Sequence, residues 1–196
     1  MGAGVITGHV PEPGASDDGL PSSAALQCAT IWLTGLSGAG KSTIANLLAA
    51  RLCENGAKTE VLDGDALRTT LCEDLGFSRE DREENVGRIS FLCELLNRHG
   101  VIAIVAAISP YRAARDRVRT KLSNFVEVHV HCPLDVLIQR DPKGLYKRAL
   151  AGEIQHFTGI SDPYEAPEDP EVMVDTSQTS PEEAVQRIVA QLWRGV

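Results

Sequence analysis

Eight residues, Gly35, Leu36, Ser37, Gly38, Ala39, Gly40, Lys41 and Ser42, spell G-x-x-x-x-G-K-[ST], and they constrain the fold more than any other part of the chain. The pattern works only between a buried strand and the start of a helix. Both flanks comply. Ala29 to Thr34 is apolar and β-branched, as a buried strand requires, and Ser42 to Leu52 places Ile44, Leu47, Leu48 and Leu52 at helical spacing. Glycines let the backbone wrap a phosphate, and the helix N-terminus offers unpaired N–H groups and the positive end of its dipole. Lys41 is then expected to reach β- and γ-phosphates, and Ser42, followed by Thr43, to sit at a magnesium ion.

The remaining chain continues the strand–helix alternation. Thr59–Asp63 reads as a second strand. Ser78 with Asp81 reads as the cap of a helix that runs to His99 and stops at Gly100. Val101–Ile108 is apolar on both faces, which suits a central parallel strand; Phe125–Val130 and Val172–Val174 follow as strands four and five. Ser180, Pro181, Glu182 and Glu183 open a last helix. The expected fold is α/β: a three-layer parallel sheet with helices on both faces, of the P-loop kinase type. Residues 1–25 are rich in Gly, Pro, Ser and Asp without periodicity and read as a disordered tail ahead of a single domain over 26–196. Residues from about 140 to 171 break the alternation with glycines and prolines, yet carry Arg140, Lys143, Lys147, Arg148, Phe157 and Tyr164. A loop-rich stretch of that length reads as a mobile lid.

Charge and cysteine usage narrow the classes further. A net charge of −8 disfavours nucleic acid or an anionic membrane as a nonspecific partner. No apolar run approaches the ~20 residues of a membrane span. The N-terminus lacks the basic and apolar regions of a signal peptide, and Ile6 stands where a myristoylation motif needs Ser or Thr. Cys28, Cys53, Cys72, Cys93 and Cys132 are odd in number and show no CxxC spacing, which fits a reduced, cytoplasmic setting. Cys53 and Cys93 are expected to pack as small hydrophobes on helices.

Ligands in such sheets bind at the carboxyl ends of the strands. Strand two ends in Asp63-Gly64-Asp65, with Arg68 beyond, and strand three in Ile108-Ser109-Pro110. Asp65 is a general base or magnesium-shell group on one reading and a turn-forming residue on the other. Arg82, Asn85 and Arg88 share a helix face, either as an anion grip or as a solvated charged surface. Arg112, Arg115 and Arg119 at helical spacing read as a solvated face. His129 and His131 read as packed histidines, and Trp32 as core.

The motifs Leu62-Asp-Gly-Asp65, Asp74-Leu-Gly-Phe77, Asp81-Arg-Glu-Glu-Asn85, Ile108-Ser-Pro-Tyr111, Arg140-Asp-Pro-Lys-Gly-Leu-Tyr146, Phe157-Thr-Gly159 and Asp162-Pro-Tyr-Glu165 together resemble the adenylyl-sulfate kinase (APS kinase) family over about residues 28–193. The resemblance implies transfer of the γ-phosphoryl group of ATP, with Mg²⁺, to the 3′-hydroxyl of adenosine 5′-phosphosulfate, giving PAPS and ADP. It implies Lys41, Asp65, Ser109 and Lys143 as catalytic residues, and Ser42 with Asp65 at the metal. The donor site would comprise Gly35 to Thr43 with Arg140. The acceptor site would comprise Asp65, Arg68, Phe77, Arg82, Asn85, Ile108, Ser109, Lys143, Leu145 and Phe157, with Phe77 and Phe157 sandwiching the adenine. A homodimer and association with ATP sulfurylase are implied as partners. Ala107, Thr69-Thr70 and Gly87 depart from the residues many members carry at those places and bear on affinity rather than reaction class. The alternatives are a kinase for a related nucleotide, such as a nucleoside monophosphate kinase, and a catalytically silent nucleotide-binding partner of a sulfate-activating complex.

Overall fold

The computed structural model describes residues 29–192. The expected tail and Cys28 lie outside the described residues. The elements alternate as β1 (Thr30–Thr34), α1 (Lys41–Glu54), β2 (Thr59–Asp63), α2 (Gly64–Arg68), α3 (Arg79–Arg98), β3 (Ile102–Ala106), α4 (Arg112–Lys121), β4 (Phe125–His131), α5 (Leu134–Arg140), α6 (Leu145–Leu150), β5 (Val172–Asp175) and α7 (Pro181–Leu192). The five strands form one parallel sheet in the order β2-β3-β1-β4-β5.

Strand periodicity sorts the core into two layers. On β1, Ile31 and Leu33 face one side, where Ile44, Leu48 and Leu52 of α1 and Ile188 of α7 pack against Val128 and Val130. Trp32 faces the other, with Val86, Ile89 and Cys93 of α3, Ala114 and Val118 of α4, and Phe125. The central strands are buried on both faces, so they carry apolar runs instead of alternation.

Local chemistry fixes the helix ends. Ser78 Oγ accepts from the Asp81 N–H at 3.1 Å, and Ser180 and Glu183 cap each other reciprocally. Helices α2, α5 and α6 are not anticipated by the sequence pattern. Asp63 accepts N–H bonds from Asp65 (2.9 Å) and Ala66 (3.3 Å), and this cap turns the end of β2 directly into α2. Helix α6 lies inside the stretch read as loop-rich; Asp141 accepts from the Tyr146 and Lys147 N–H groups at 3.0 Å each and starts it.

Two surface expectations, for Cys53 and Arg115, are corrected, and the open alternative for Arg88 falls to the charged surface. Cys53 is exposed, beside Thr59, although Cys93 is buried as expected. Arg88 forms no part of an anion grip; it forks onto both carboxylate oxygens of Asp74, at 2.6 and 2.8 Å, and pairs with Glu84. Arg115 is not on a solvated face but is 1% exposed, ion-paired with Glu127 at 2.6 Å. Its partners come from distant sequence, which helical spacing alone cannot reveal. His129 is buried, and burial, with His131 and Arg115 nearby, pulls its pKa down to about 4, so it packs as a neutral ring.

Candidate active site

The phosphate loop begins with a close approach of two backbones. Gly35 has φ 154°, and a Cβ there would lie 2.2 Å from the Val130 carbonyl oxygen, so only glycine lets β1 leave the sheet at this point. Gly40, at φ 97°, makes the left-handed turn into α1. Lys41 folds back along the loop: its ammonium donates to the carbonyls of Gly35 (2.9 Å) and Leu36 (2.8 Å). Burial lowers its pKa to about 8, with nearby Lys143 acting in the same direction and Asp65 opposing it.

A phosphate group would restore the full charge. Nucleotide triphosphate binding at pH 8.5 is therefore expected to take up protons, because free Lys41 is partly neutral there and the bound anion favours its charged form. Calorimetry in buffers of different ionisation enthalpy measures that uptake; uptake should vanish in Lys41→Met and shrink below pH 7, where Lys41 already carries its proton.

Beside the loop lies a cavity of about 570 Å³. Its walls come from the loop (Ser37, Gly38, Gly40, Lys41, Ser42, Thr43), the ends of β2 and β3, α3, and residues 142–158. It gathers Asp65, Arg68, Phe77, Arg82, Asn85, Ile108, Ser109, Lys143, Leu145 and Phe157, so every residue expected at the acceptor lines one space. Gly35, Leu36, Ala39 and Arg140 are not on this wall. Arg140 lies behind the loop, donating to the Thr176 carbonyl at 3.3 Å, while Thr176 Oγ1 donates to the Ala39 carbonyl at 3.0 Å.

The acidic groups divide into two pairs. Ser42 donates to Asp63 Oδ2 at 2.6 Å, and Lys143 donates to Asp65 Oδ2 at 2.6 Å. Burial pushes the Asp63 carboxyl up, but the Ser42 hydroxyl and the Ala66 and Asp65 N–H groups outweigh it and hold it below its ordinary value. Asp65 raises the Lys143 pKa through the hydrogen bond. The partner of Ser42 is thus Asp63, the last residue of β2. These hydroxyl and carboxylate oxygens suit Mg²⁺, which takes few protein oxygens and fills its shell with phosphate oxygens and water.

The acceptor wall is rigidly built. Arg82 is buried; Nε donates to the Phe77 carbonyl at 2.9 Å, and an Nη donates to the His156 carbonyl and faces Asp162. It therefore ties α3 to the segment around His156 and Asp162. Phe77 lies under the Arg68 guanidinium, 4.6 Å from ring centroid to Cζ. Phe157 meets Tyr146 edge to face at 5.1 Å, and Tyr146 in turn donates to the Ser37 carbonyl at 2.8 Å. Gly159 presses on the loop so closely that a Cβ would come 2.9 Å from Leu36. Ser109 and His156, both on the cavity wall, hold positive φ angles of 45° and 56°. Such strain persists only where surroundings impose it. Asn85 Oδ1 and Thr158 Oγ1 are buried on the same wall without a hydrogen-bond partner, which is costly unless a ligand supplies one. Thr158 carried no sequence signal of its own.

A phosphate loop after the first strand of a parallel sheet, with acidic residues and an adjoining aromatic- and arginine-lined cavity, defines a P-loop phosphotransferase. The chain belongs to the adenylyl-sulfate kinase family: the sequence model of that family, Adenylylsulphate kinase, matches residues 27–175. The adenylyl-sulfate kinase of Gloeothece citriformis is 60% identical over 163 residues, which are 83% of this chain and 93% of that protein. The protein named "Probable bifunctional SAT/APS kinase 2" of Sorangium cellulosum is 56% identical over 162 residues, 83% of this chain and 28% of that one. The structure of the Mycobacterium tuberculosis APS kinase CysC in complex with AMPPNP and APS superposes with a TM-score of 0.82 at 43% identity, covering 85% of this chain and 98% of that chain. No helix among the described residues is long and apolar enough to cross a membrane.

Proposed function

We infer that this enzyme transfers the γ-phosphoryl group of ATP to the 3′-hydroxyl of adenosine 5′-phosphosulfate, giving PAPS and ADP. The observation that carries the reading is the continuity of the phosphate loop with a cavity lined by Arg68, Phe77, Arg82, Asn85, Ser109 and Phe157. In the reaction the 3′-oxygen forms a bond to the γ-phosphorus as the bond to the β–γ bridging oxygen breaks. The 3′-hydroxyl proton passes to Asp65, whose partner Lys143 lies beside the developing charge. Lys41 neutralises the phosphoryl oxygens, and Gly35 to Thr43 cradle the donor phosphates with Arg140 behind them. Mg²⁺ would be held by Ser42 with Asp63 and Asp65, and when bound it neutralises charge on the β- and γ-phosphate oxygens.

The remaining roles follow from chemistry. Phe77 and Phe157 offer aromatic faces to the adenine; Ile108 and Leu145 supply apolar wall; Arg68, Arg82, Asn85 and Ser109 bind the phosphosulfate and ribose. The kinase domain is assigned to residues 26–196 and the enzyme to the cytoplasm. Exposed Phe91 and Leu95, four residues apart on α3, support a homodimer, and the bifunctional relative supports association with ATP sulfurylase.

The lid reading is refined by its contacts. Arg112 pairs with Glu168, Arg119 with Glu171, and Arg115 donates to the Glu165 carbonyl at 2.7 Å, so residues 165–171 are fastened to α4. Movement is therefore proposed for residues 142–160 only. Hydrogen exchange should slow there on adding ADP and adenylyl sulfate and change little over 165–171; uniform behaviour along 140–171 would contradict this. In the same lid, Phe157→Ala should weaken adenylyl sulfate binding by roughly 1–3 kcal/mol, the scale of base–aromatic stacking, and leave ATP affinity nearly unchanged.

A further inference from the structure

We propose that Arg115 and Trp32 are positioning residues of the acceptor site, acting through Ser109. The proposal rests on the function proposed above and adds two residues that do not themselves line the cavity. Arg115 is 1% exposed, and each face of its guanidinium fork is used: Nε on Glu127 Oε1 at 2.6 Å, Nη1 on the Ser109 carbonyl at 2.6 Å, and Nη2 on the Glu165 carbonyl at 2.7 Å. Its charge is balanced by Glu127, which is itself buried and takes Arg119 Nη2 at 3.1 Å on its other oxygen. The Glu127 N–H, in turn, bonds Glu171 at 2.7 Å. One buried side chain thus joins the end of β3, the middle of β4 and the fastened segment after the lid. Glu165 closes the circuit, its N–H donating to the Pro110 carbonyl at 2.8 Å.

Trp32 grips the same serine from below. Its indole N–H donates to Ser109 Oγ at 3.0 Å. An indole nitrogen only donates, so Ser109 must accept here, and its own hydroxyl proton is left to donate elsewhere. Ser109 lines the cavity, and its backbone is held at φ 45°. A serine in the left-handed region reverts to ordinary geometry unless neighbours prevent it. The Arg115 bond to its carbonyl and the Trp32 bond to its hydroxyl are those restraints. Together they present Ser109 as a hydrogen-bond donor to an oxygen of the acceptor nucleotide. Lysine cannot replace Arg115, because one ammonium cannot span three partners in the fork plane.

The test is steady-state kinetics on the full chain with Arg115→Lys, Trp32→Phe, Ser109→Ala and the Arg115→Lys/Ser109→Ala double variant. Arg115→Lys should raise KM for adenylyl sulfate by about tenfold or more, and Trp32→Phe by a smaller factor, with the nucleotide dissociation constant unchanged within about twofold. In the Ser109→Ala background, Arg115→Lys should lose most of its effect, since both act through one hydroxyl. Equal losses toward ATP and adenylyl sulfate, or an undiminished Arg115→Lys effect without the Ser109 hydroxyl, would show a purely structural role and overturn the proposal. Should Arg115→Lys fail to fold, Trp32→Phe decides: an unchanged KM for adenylyl sulfate overturns it. Failure of the parent protein to phosphorylate adenylyl sulfate would instead remove the functional reading before any variant is compared.

Discussion

Lys41→Ala is expected to lower turnover by on the order of 10²-fold or more while the protein stays folded. Both halves follow from its surroundings. The ammonium sits inside the loop, 2.9 and 2.8 Å from two carbonyl oxygens, where phosphoryl oxygens would compete for it. The ammonium is buried within the phosphate loop, and water cannot replace a fixed charge there. Stability points the other way. Burial lowers the Lys41 pKa to about 8, below its ordinary 10.5, so the folded protein holds this proton less tightly than the unfolded chain. The sign follows: the charged group works against folding below about pH 8, and that cost fades as pH rises from 8 towards 10.5. Removing the ammonium therefore should not lower the melting temperature at pH 7. Circular dichroism melts beside ADP-release rates check both points; a folded Lys41→Ala protein with normal turnover would remove the phosphate loop from the chemistry.

Asp65→Asn should lower kcat by roughly 10²-fold or more and change adenylyl sulfate affinity far less, the size expected for loss of a general base. The amide keeps the shape and removes both the proton acceptor and the charge that Lys143 faces at 2.6 Å. The pair is exposed, so its loss should scarcely alter stability. Rates at saturating substrate, set against calorimetric affinities, separate the possibilities. Adenylyl sulfate binding lost with saturated turnover intact would make Asp65 a binding residue, and would leave proton removal to Asp63 or to solvent.

What could be read in advance was local. The phosphate loop, the five strands and the caps at Ser78 and Ser180 are encoded by residues within a few positions of one another, and the structure places them within a residue or two of expectation. The strand-end rule points to Asp65, Arg68 and Ser109; Phe77, Lys143, Leu145 and Phe157 are expected at the acceptor through the family resemblance alone, and all of them line the cavity. Long-range pairing was not readable. Arg115 looks like any arginine at helical spacing until Glu127 on β4 and the Ser109 and Glu165 carbonyls converge on it. Arg88 resembled a ligand-binding arginine because its spacing matches Arg82, yet the turn holding Asp74 folds back onto it. Asp63 was hidden because capping α2 and accepting from Ser42 both require knowing how β2 ends. The attachment of residues 165–171 to α4 is visible only where Glu168 and Glu171 meet Arg112 and Arg119.

The direct measurement is ADP release by the purified chain with ATP and magnesium, with and without adenylyl sulfate, with the nucleotide product identified by phosphorus NMR. ADP should form only when adenylyl sulfate is present, one for each molecule of the 3′-phosphorylated product, and adenosine 5′-monophosphate should not substitute for it. ADP formed at the same rate without adenylyl sulfate, or faster phosphorylation of an unsulfated nucleotide, would contradict the reading of this cavity as an adenylyl-sulfate site.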